Sequence, residues 1–551
     1  MKRILFFLLI TTAVLSAQRP DTLYILQTTD VHGNIWPYNY FRDDSADYGL
    51  AKIYTRVIGY RQHHKNVILL DGGDLLQGTP LVYYFNKIET SVMNPLILTL
   101  NYMGYDAFAV GNHDIEQGPQ VYLKAQQESR FPWLSANSVM EDGRTFFRPY
   151  VILKRNGLKI GIIGLTTPGI PMWLDQALYP GIHWADMVET ARKYAPLLRP
   201  HVDVLVGLFH AGFEAGYSAK QTQARGLPNE NASLLVAQQV PGFDVIFAGH
   251  SHRPFPPIKG ERSQTESAPA DVPLRINAGS WGRNLGVAQI ILQKPKAGRA
   301  QIVSKTGWLE STKKTPASLA IRQLTEFYHN KTLDYIRQPI ADLTDTLDAR
   351  SSRFQDNPVV ELINKAQMWI SGADISFAAS FNDRLKIAPG QIRIKDIYGM
   401  YKYENYLYVL EMTGRQIKDY LNYCADYYQL EGDHLTANPQ MAGYNYDMAE
   451  GIGYTVHVRS RRNDGKAKNH VDAIVFLRTG KPLQMDRTYK VALNSYRATG
   501  GGGHLAAAHA LNAPVVWKSD EEMRNILAKY IRQLKVIRPK TDGNWKVVSD
   551  R

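Results

Sequence analysis

The sequence predicts an α/β protein of at least two domains, and three observations carry that expectation. The chain has 551 residues, more than one hydrophobic core organises. From 22 to 315, short runs rich in Val, Ile and Leu (23–28, 67–70, 107–110, 159–165, 202–209 and 243–248) each end in a polar or glycine-rich turn. That is the pattern of buried strands in an α/β sheet. Beyond about 340 that regularity gives way to a mixture of helices and strands.

Lys2 and Arg3, an apolar run over 4–15 and the small residues Ser16 and Ala17 have the order of a secretory leader over 1–17. The run is too short to span a bilayer, so no membrane anchor is expected. Runs 274–278 and 287–292 close the first region, either in the same sheet or in a second layer. Thr315-Pro316 suits a helix start, the spacing stays helical to 336, and Pro339 breaks it. The domain division expected is therefore 22–315, a linker helix over 316–340, and 341–540. In the last region, helices are expected at 359–371 and 521–534 and strands at 406–412, 474–477 and 489–493, followed by a short polar tail. Residues 263–273 read as a polar loop.

Cys424 is the single cysteine. No intramolecular disulfide can form, and any metal must be held by His, Asp, Glu or Asn. The formal charge of +13 is scattered along the chain, which favours anionic ligands in general. No duplex nucleic acid motif is present, so a small anionic partner is expected rather than a nucleic acid duplex.

Chemistry-bearing residues follow the strands. Asp30 and His32 follow the first, Asp74 the second, Asn112, His113 and Asp114 the third, His210 the run 202–209, and His250 and His252 the run 243–248. Open α/β sheets bind ligands at the carboxyl ends of their strands, so these side chains are expected at one edge, as in a dinuclear site. Two divalent ions side by side need a bridging anion. A carboxylate such as Asp74 can supply it, and imidazole and amide oxygen complete the shells without adding charge.

The series Asp30-x-His32, Gly73-Asp74, Gly111-Asn112-His113, His210 and Gly249-His250-Ser251-His252 resembles the calcineurin-like metallophosphoesterase superfamily. Within it, the chain resembles the bacterial two-domain nucleotidases. The resemblance implies a four-layer α/β metallophosphoesterase domain of β-sheets flanked by helices, and an α+β C-terminal domain that binds substrate. It implies two divalent metal ions (Zn, Mn, Fe or Co). Asp30, His32, Asp74 and His252 would hold one; Asp74, Asn112, His210 and His250 would hold the other. His113 would act on the phosphoryl group, supported by Glu116 or by Asp114. Tyr403 and Tyr496 would hold a nucleobase between their faces, as stacking on aromatic rings allows, with Asn405, Asn382 and Arg384 as further substrate contacts.

Ser380-Phe381-Asn382-Asp383-Arg384 departs from the segment common in 5′-nucleotidases, and Gly502 stands where that type tends to carry an acid. The implied activity is therefore that of an exported 2′,3′-cyclic-nucleotide 2′-phosphodiesterase/3′-nucleotidase. The alternatives are a 5′-nucleotidase or nucleotide-sugar hydrolase, and, in another class, a nucleotide-binding protein without turnover.

Overall fold

A computed structural model of the chain describes residues 20–217, 219–295, 298–432, 434–459 and 469–550. The expected leader over 1–17 lies outside the described residues.

The six apolar runs are strands, and they divide between two sheets. Asp21–Thr28, Val67–Asp71 and Ala107–Ala109 lie parallel in one sheet, with Asn284–Gln293 antiparallel against the first of them. Leu158–Thr166, Val204–His210 and Val245–Ala248 lie parallel in the other, with Leu274–Ile276 beside the last. Runs 274–278 and 287–292 therefore belong to different sheets. Apolar periodicity marks a strand but carries nothing about which sheet it joins.

Alternation along the strands builds four layers. Leu23, Ile25, Ile68 and Leu70 face Ile160, Ile162, Val206 and Phe247 between the sheets. On the outer face of the first sheet, Leu26, Leu69 and Phe108 pack with Ile53 of helix Leu50–His63 and Ile97 of helix Pro95–Met103. On the outer face of the second, Ile163, Leu205 and Ile246 pack with Ala191 and Ala195 of helix Met187–Leu198.

Helix Leu319–Ile336 starts after Ser318, whose side chain accepts from the Ile321 amide. It packs back on the first region: Ile321 and Ile336 join its core, and His329 stacks on Trp36 at a centroid distance of 3.9 Å. Beyond it, helix Pro358–Ser371 covers a five-stranded sheet in the order Asp447–Glu450, Ile375–Ala379, Thr488–Asn494, Tyr406–Thr413, Val515–Glu522. Cys424 is buried on helix Gly414–Ala425.

Three expectations need correction. The helix expected from 521 starts at Met523, because Val515–Glu522 is an edge strand. The expected loop 263–273 contributes Ser263 to a short ladder with Ile258, and Glu266–Ser267 to one on strand Gln301–Ser311. The expected polar tail is a strand, Trp545–Asp550, parallel to Ile452–Arg459. Trp545 is 5% exposed and stacks on Tyr454 at 6.2 Å and 12°. One aromatic anchor, Val547 packed beside the same core and a backbone ladder hold the segment. Trp545→Ala should therefore lower unfolding free energy by about 3–5 kcal/mol in urea titration. A change below about 1 kcal/mol would mean that this strand does not pack in solution.

Candidate active site

The strand ends converge as the spacing requires. Asp30, His32, Asp74 and His252 place one ligand atom each within 4.8 Å of one another, and so do Asp74, His210 and His250. Asn112 joins the second group, its amide oxygen 3.2 Å from His210 Nε2. Asp74 Oδ2 lies 3.2 Å from His210 Nε2 and 3.9 Å from His32 Nε2, so one carboxylate faces both groups.

The ring nitrogens are set by backbone carbonyls. His210 Nδ1 lies 2.7 Å from the Gly72 carbonyl, and His32 Nδ1 lies 3.1 Å from that of Gln77. Each Nδ1 therefore carries a proton and each Nε2 is turned toward the ligand groups, the arrangement that orients metal-binding imidazoles. Burial acts to lower the His210 imidazole, but the Asp74 carboxylate outweighs it and pushes the group up to about 9. Burial, then the neighbouring His252 ring, pushes the His32 imidazole down to about 4, so it is neutral near pH 7. His32 Nε2 and His252 Nε2 stand 3.0 Å apart. Two imidazole nitrogens that close are stabilised by a shared proton or a cation between them, and Asp30 Oδ1 stands 3.2 Å from His252 Nε2. Burial acts to raise the Asp74 carboxyl, yet the His210 and His113 rings hold it well below the usual carboxylate range. Imidazole nitrogens, amide oxygen and ionised carboxylates are donors suited to divalent transition metals.

Close packing demands glycine at Gly111, where a Cβ would fall 2.1 Å from Asp74 Oδ1.

His113 stands beside the shared carboxylate. Its amide donates to Asp74 Oδ1 at 2.8 Å, and its Nδ1 bonds the Glu116 carboxylate. The competing acid, Asp114, is fully buried and turned away. It accepts from the amides of Asp74, Leu75, Leu76 and Gly111. Burial disfavours the His113 imidazolium, but the charges of Glu116 and then Asp74 outweigh it and push the group up to about 10.

A cavity of about 390 Å³ opens in front of these residues, between the two regions of the chain. Asn112, His113 and His250 line one wall, and Tyr403, Asn405 and Tyr496 line the other. Arg384 is the exception. It is exposed on a turn outside the lining, where its amide bonds the Asn382 side chain, and Asn382 in turn donates to the Gly399 carbonyl at 3.1 Å. Both residues serve the local turn, a role that a motif match cannot separate from substrate contact.

Sequence reading missed several lining residues. Tyr444 stands against Tyr403 at 6.4 Å and 69°, Trp173 tilts on His250 at 5.4 Å, and Tyr217 and Glu230 also line the cavity. These four come from loops with no local signal beyond their residue type.

Comparison with known proteins agrees with this geometry. Residues 23–254 match the calcineurin-like phosphoesterase family model, and residues 339–509 match that of the 5′-nucleotidase C-terminal domain. The chain is 29% identical to the trifunctional nucleotide phosphoesterase protein YfkN of Bacillus subtilis, with 95% of this chain aligned but only 39% of the relative. It is 28% identical to a 2′,3′-cyclic-nucleotide 2′-phosphodiesterase/3′-nucleotidase of Yersinia enterocolitica, with 98% of this chain and 90% of the relative aligned. Among solved structures, a Staphylococcus aureus protein in complex with α-ketoglutarate shares the fold. Its TM-score is 0.79 at 22% identity, over 96% of this chain and 100% of that one.

Proposed function

Because this chain joins a calcineurin-like phosphoesterase domain to a 5′-nucleotidase C-terminal domain, we propose that it hydrolyses phosphate esters of nucleotides with two divalent metal ions, as a 2′,3′-cyclic-nucleotide 2′-phosphodiesterase/3′-nucleotidase. The observation that carries the reading is the cavity with Asn112, His113 and His250, beside the two ligand groups, at one wall and a tyrosine pair at the other. The name of the Yersinia enterocolitica relative, aligned over most of both chains, supports the subtype, as does Gly502 in place of an acid.

Asp30, His32, Asp74 and His252 would hold one ion, and Asp74, Asn112, His210 and His250 the other. Bound divalent ions supply an ionised water near neutral pH and offset charge on the phosphoryl oxygens. The chain's own residues do the rest. With Nδ1 committed to Glu116, the charged His113 ring has Nε2–H to donate to a phosphoryl oxygen. Glu116 holds that ring in orientation and favours its charged form. Tyr403 and Tyr496 offer aromatic faces to the base and orient the ester toward the metal wall. Trp173 and the tyrosines narrow the access of bulk water.

The leader over 1–17 supports export. Among the described residues no helix is long and apolar enough to cross a membrane.

A phosphate-release panel of 3′-AMP, 2′,3′-cyclic AMP, 5′-AMP and UDP-glucose tests the reading, with product analysis for the cyclic diester. Turnover of 3′-AMP and the cyclic diester should exceed that of the other two, vanish after chelation and return with added divalent ions. Release that survives chelation would sink the metal mechanism, and a 5′-AMP preference would sink the subtype. His113→Ala should retain metal by elemental analysis while losing on the order of 10²–10⁴-fold in kcat; near-normal turnover would remove His113 from the chemistry. Tyr403→Ala should weaken nucleotide binding by about 1–3 kcal/mol in competition assays and leave p-nitrophenyl phosphate much less affected. Equal losses on both substrates would argue against base stacking.

A further inference from the structure

One buried contact ties the two walls of the cavity together, and one of its partners, Glu404, itself lines the cavity. Gln117 Nε2, on the phosphoesterase side, donates to Glu404 Oε2 at 2.7 Å, across 287 residues of chain. Both side chains are inaccessible to solvent apart from 4% of their surface. Each is the chain neighbour of a residue with a proposed role: Gln117 follows Glu116, which bonds His113, and Glu404 follows Tyr403.

Both partners are fixed on their own sides. Arg524 donates to Glu404 Oε1 at 3.1 Å and to the carbonyls of Tyr401 and Lys402 at 3.1 and 2.5 Å, clamping the turn that presents Tyr403. Lys87 Nζ donates to the Gln117 carbonyl at 3.1 Å, and Asn86 Nδ2 approaches Gln117 Oε1 at 3.4 Å. The amide thus turns its NH₂ toward Glu404. A hydrogen bond to a buried carboxylate is stronger than a neutral one and is lost within small displacements. If the amide is removed, Glu404 Oε2 is left buried without a donor whenever the walls stand as they do here, which disfavours that arrangement.

We propose that Gln117 and Glu404 are positioning residues that couple nucleoside docking on the C-terminal domain to the setting of His113 and Glu116 on the phosphoesterase domain. The inference rests on the proposed roles of Tyr403 and His113. A nucleotide touches both walls and benefits from the coupling. An aryl phosphate has no nucleoside to engage the tyrosine wall, so its hydrolysis draws little on the contact.

The experiment compares 3′-AMP with p-nitrophenyl phosphate in the full-length, metal-loaded enzyme. Gln117→Leu, close in volume and without the donor, should lower kcat on 3′-AMP by about tenfold with KM little changed, and lower p-nitrophenyl phosphate turnover far less. Gln117→Glu, carboxylate against carboxylate, should lower the ratio of the two kcat/KM values at least as far. Adding Glu404→Gln to it restores an amide–carboxylate pair in reversed order and should recover part of the ratio. Equal losses on both substrates, no loss, or a ratio that the reversed pair fails to lift would each overturn the coupling. If the wild-type enzyme shows no preference for 3′-AMP over p-nitrophenyl phosphate, the nucleotide reading itself fails and the coupling with it. A preserved preference with an unchanged ratio in Gln117→Leu removes the coupling alone.

Discussion

The rest of the site depends on how the Asp74 carboxylate is held. It is 1% exposed, one oxygen faces the two histidines of different ligand groups, and the other accepts the His113 amide. A buried carboxylate in that position fixes three things at once: the separation of the groups, the charge between them and the register of His113. Its own placement comes from Asp114. By accepting four backbone amides from 74–76 and 111, that side chain binds the loop after one strand to the loop after the next. The two carboxylates thus divide the work: Asp114 spends its oxygens on backbone, which frees those of Asp74 for the histidines.

The opposite wall uses buried charge in another way. Arg497 is 2% exposed and its guanidinium is fully engaged, with Asp447, the Asn445 side chain and the carbonyls of Tyr444 and Gly501. Arg524 is likewise committed to Glu404 and two carbonyls. Burying such pairs adds little net stability, but breaking one leaves an uncompensated charge, so each strongly specifies a single arrangement. Here the arrangement specified is the set of turns that carry Tyr403, Tyr444 and the glycine run. With these guanidiniums occupied, they do not draw an anionic phosphate toward the tyrosine wall.

The histidine and aspartate loops were legible in the sequence because each ligand sits within a few residues of its strand, and strand ends in such sheets share an edge. The choice between Glu116 and Asp114 was not legible. Both are acids close to His113 in sequence, and only the turn of the short helix Asn112–Ile115 decides which one meets the ring. The division of six similar runs between two sheets, the anchoring of 545–550 by Trp545 and the pairing of Gln117 with Glu404 depend on contacts far apart in the chain. Arg384, which a local motif suggested as a contact, sits exposed on a turn outside the cavity lining.

Backbone strain gives an independent pointer to the same residues. Of the eleven non-glycine residues with positive φ among those described, five are Asp30, His32, Asp74, His250 and His252. Each such conformation costs on the order of 1–3 kcal/mol and persists only where its surroundings over-determine it. The over-determination is visible. The amides of Asp30, His32 and Gly33 donate to the carbonyls of Gly73, Asp74 and Leu75 at 2.8, 2.9 and 3.1 Å, and the Trp281 amide donates to Asp30 at 2.8 Å. The first two ligand loops are therefore paired along their backbones as an irregular continuation of the parallel strands that lead into them. The left-handed turns swing the side chains over the sheet edge while this pairing keeps the backbone polar groups satisfied. Strain and pairing have to form together, so the loop that carries Asp30 and His32 and the loop that carries Asp74 are set jointly.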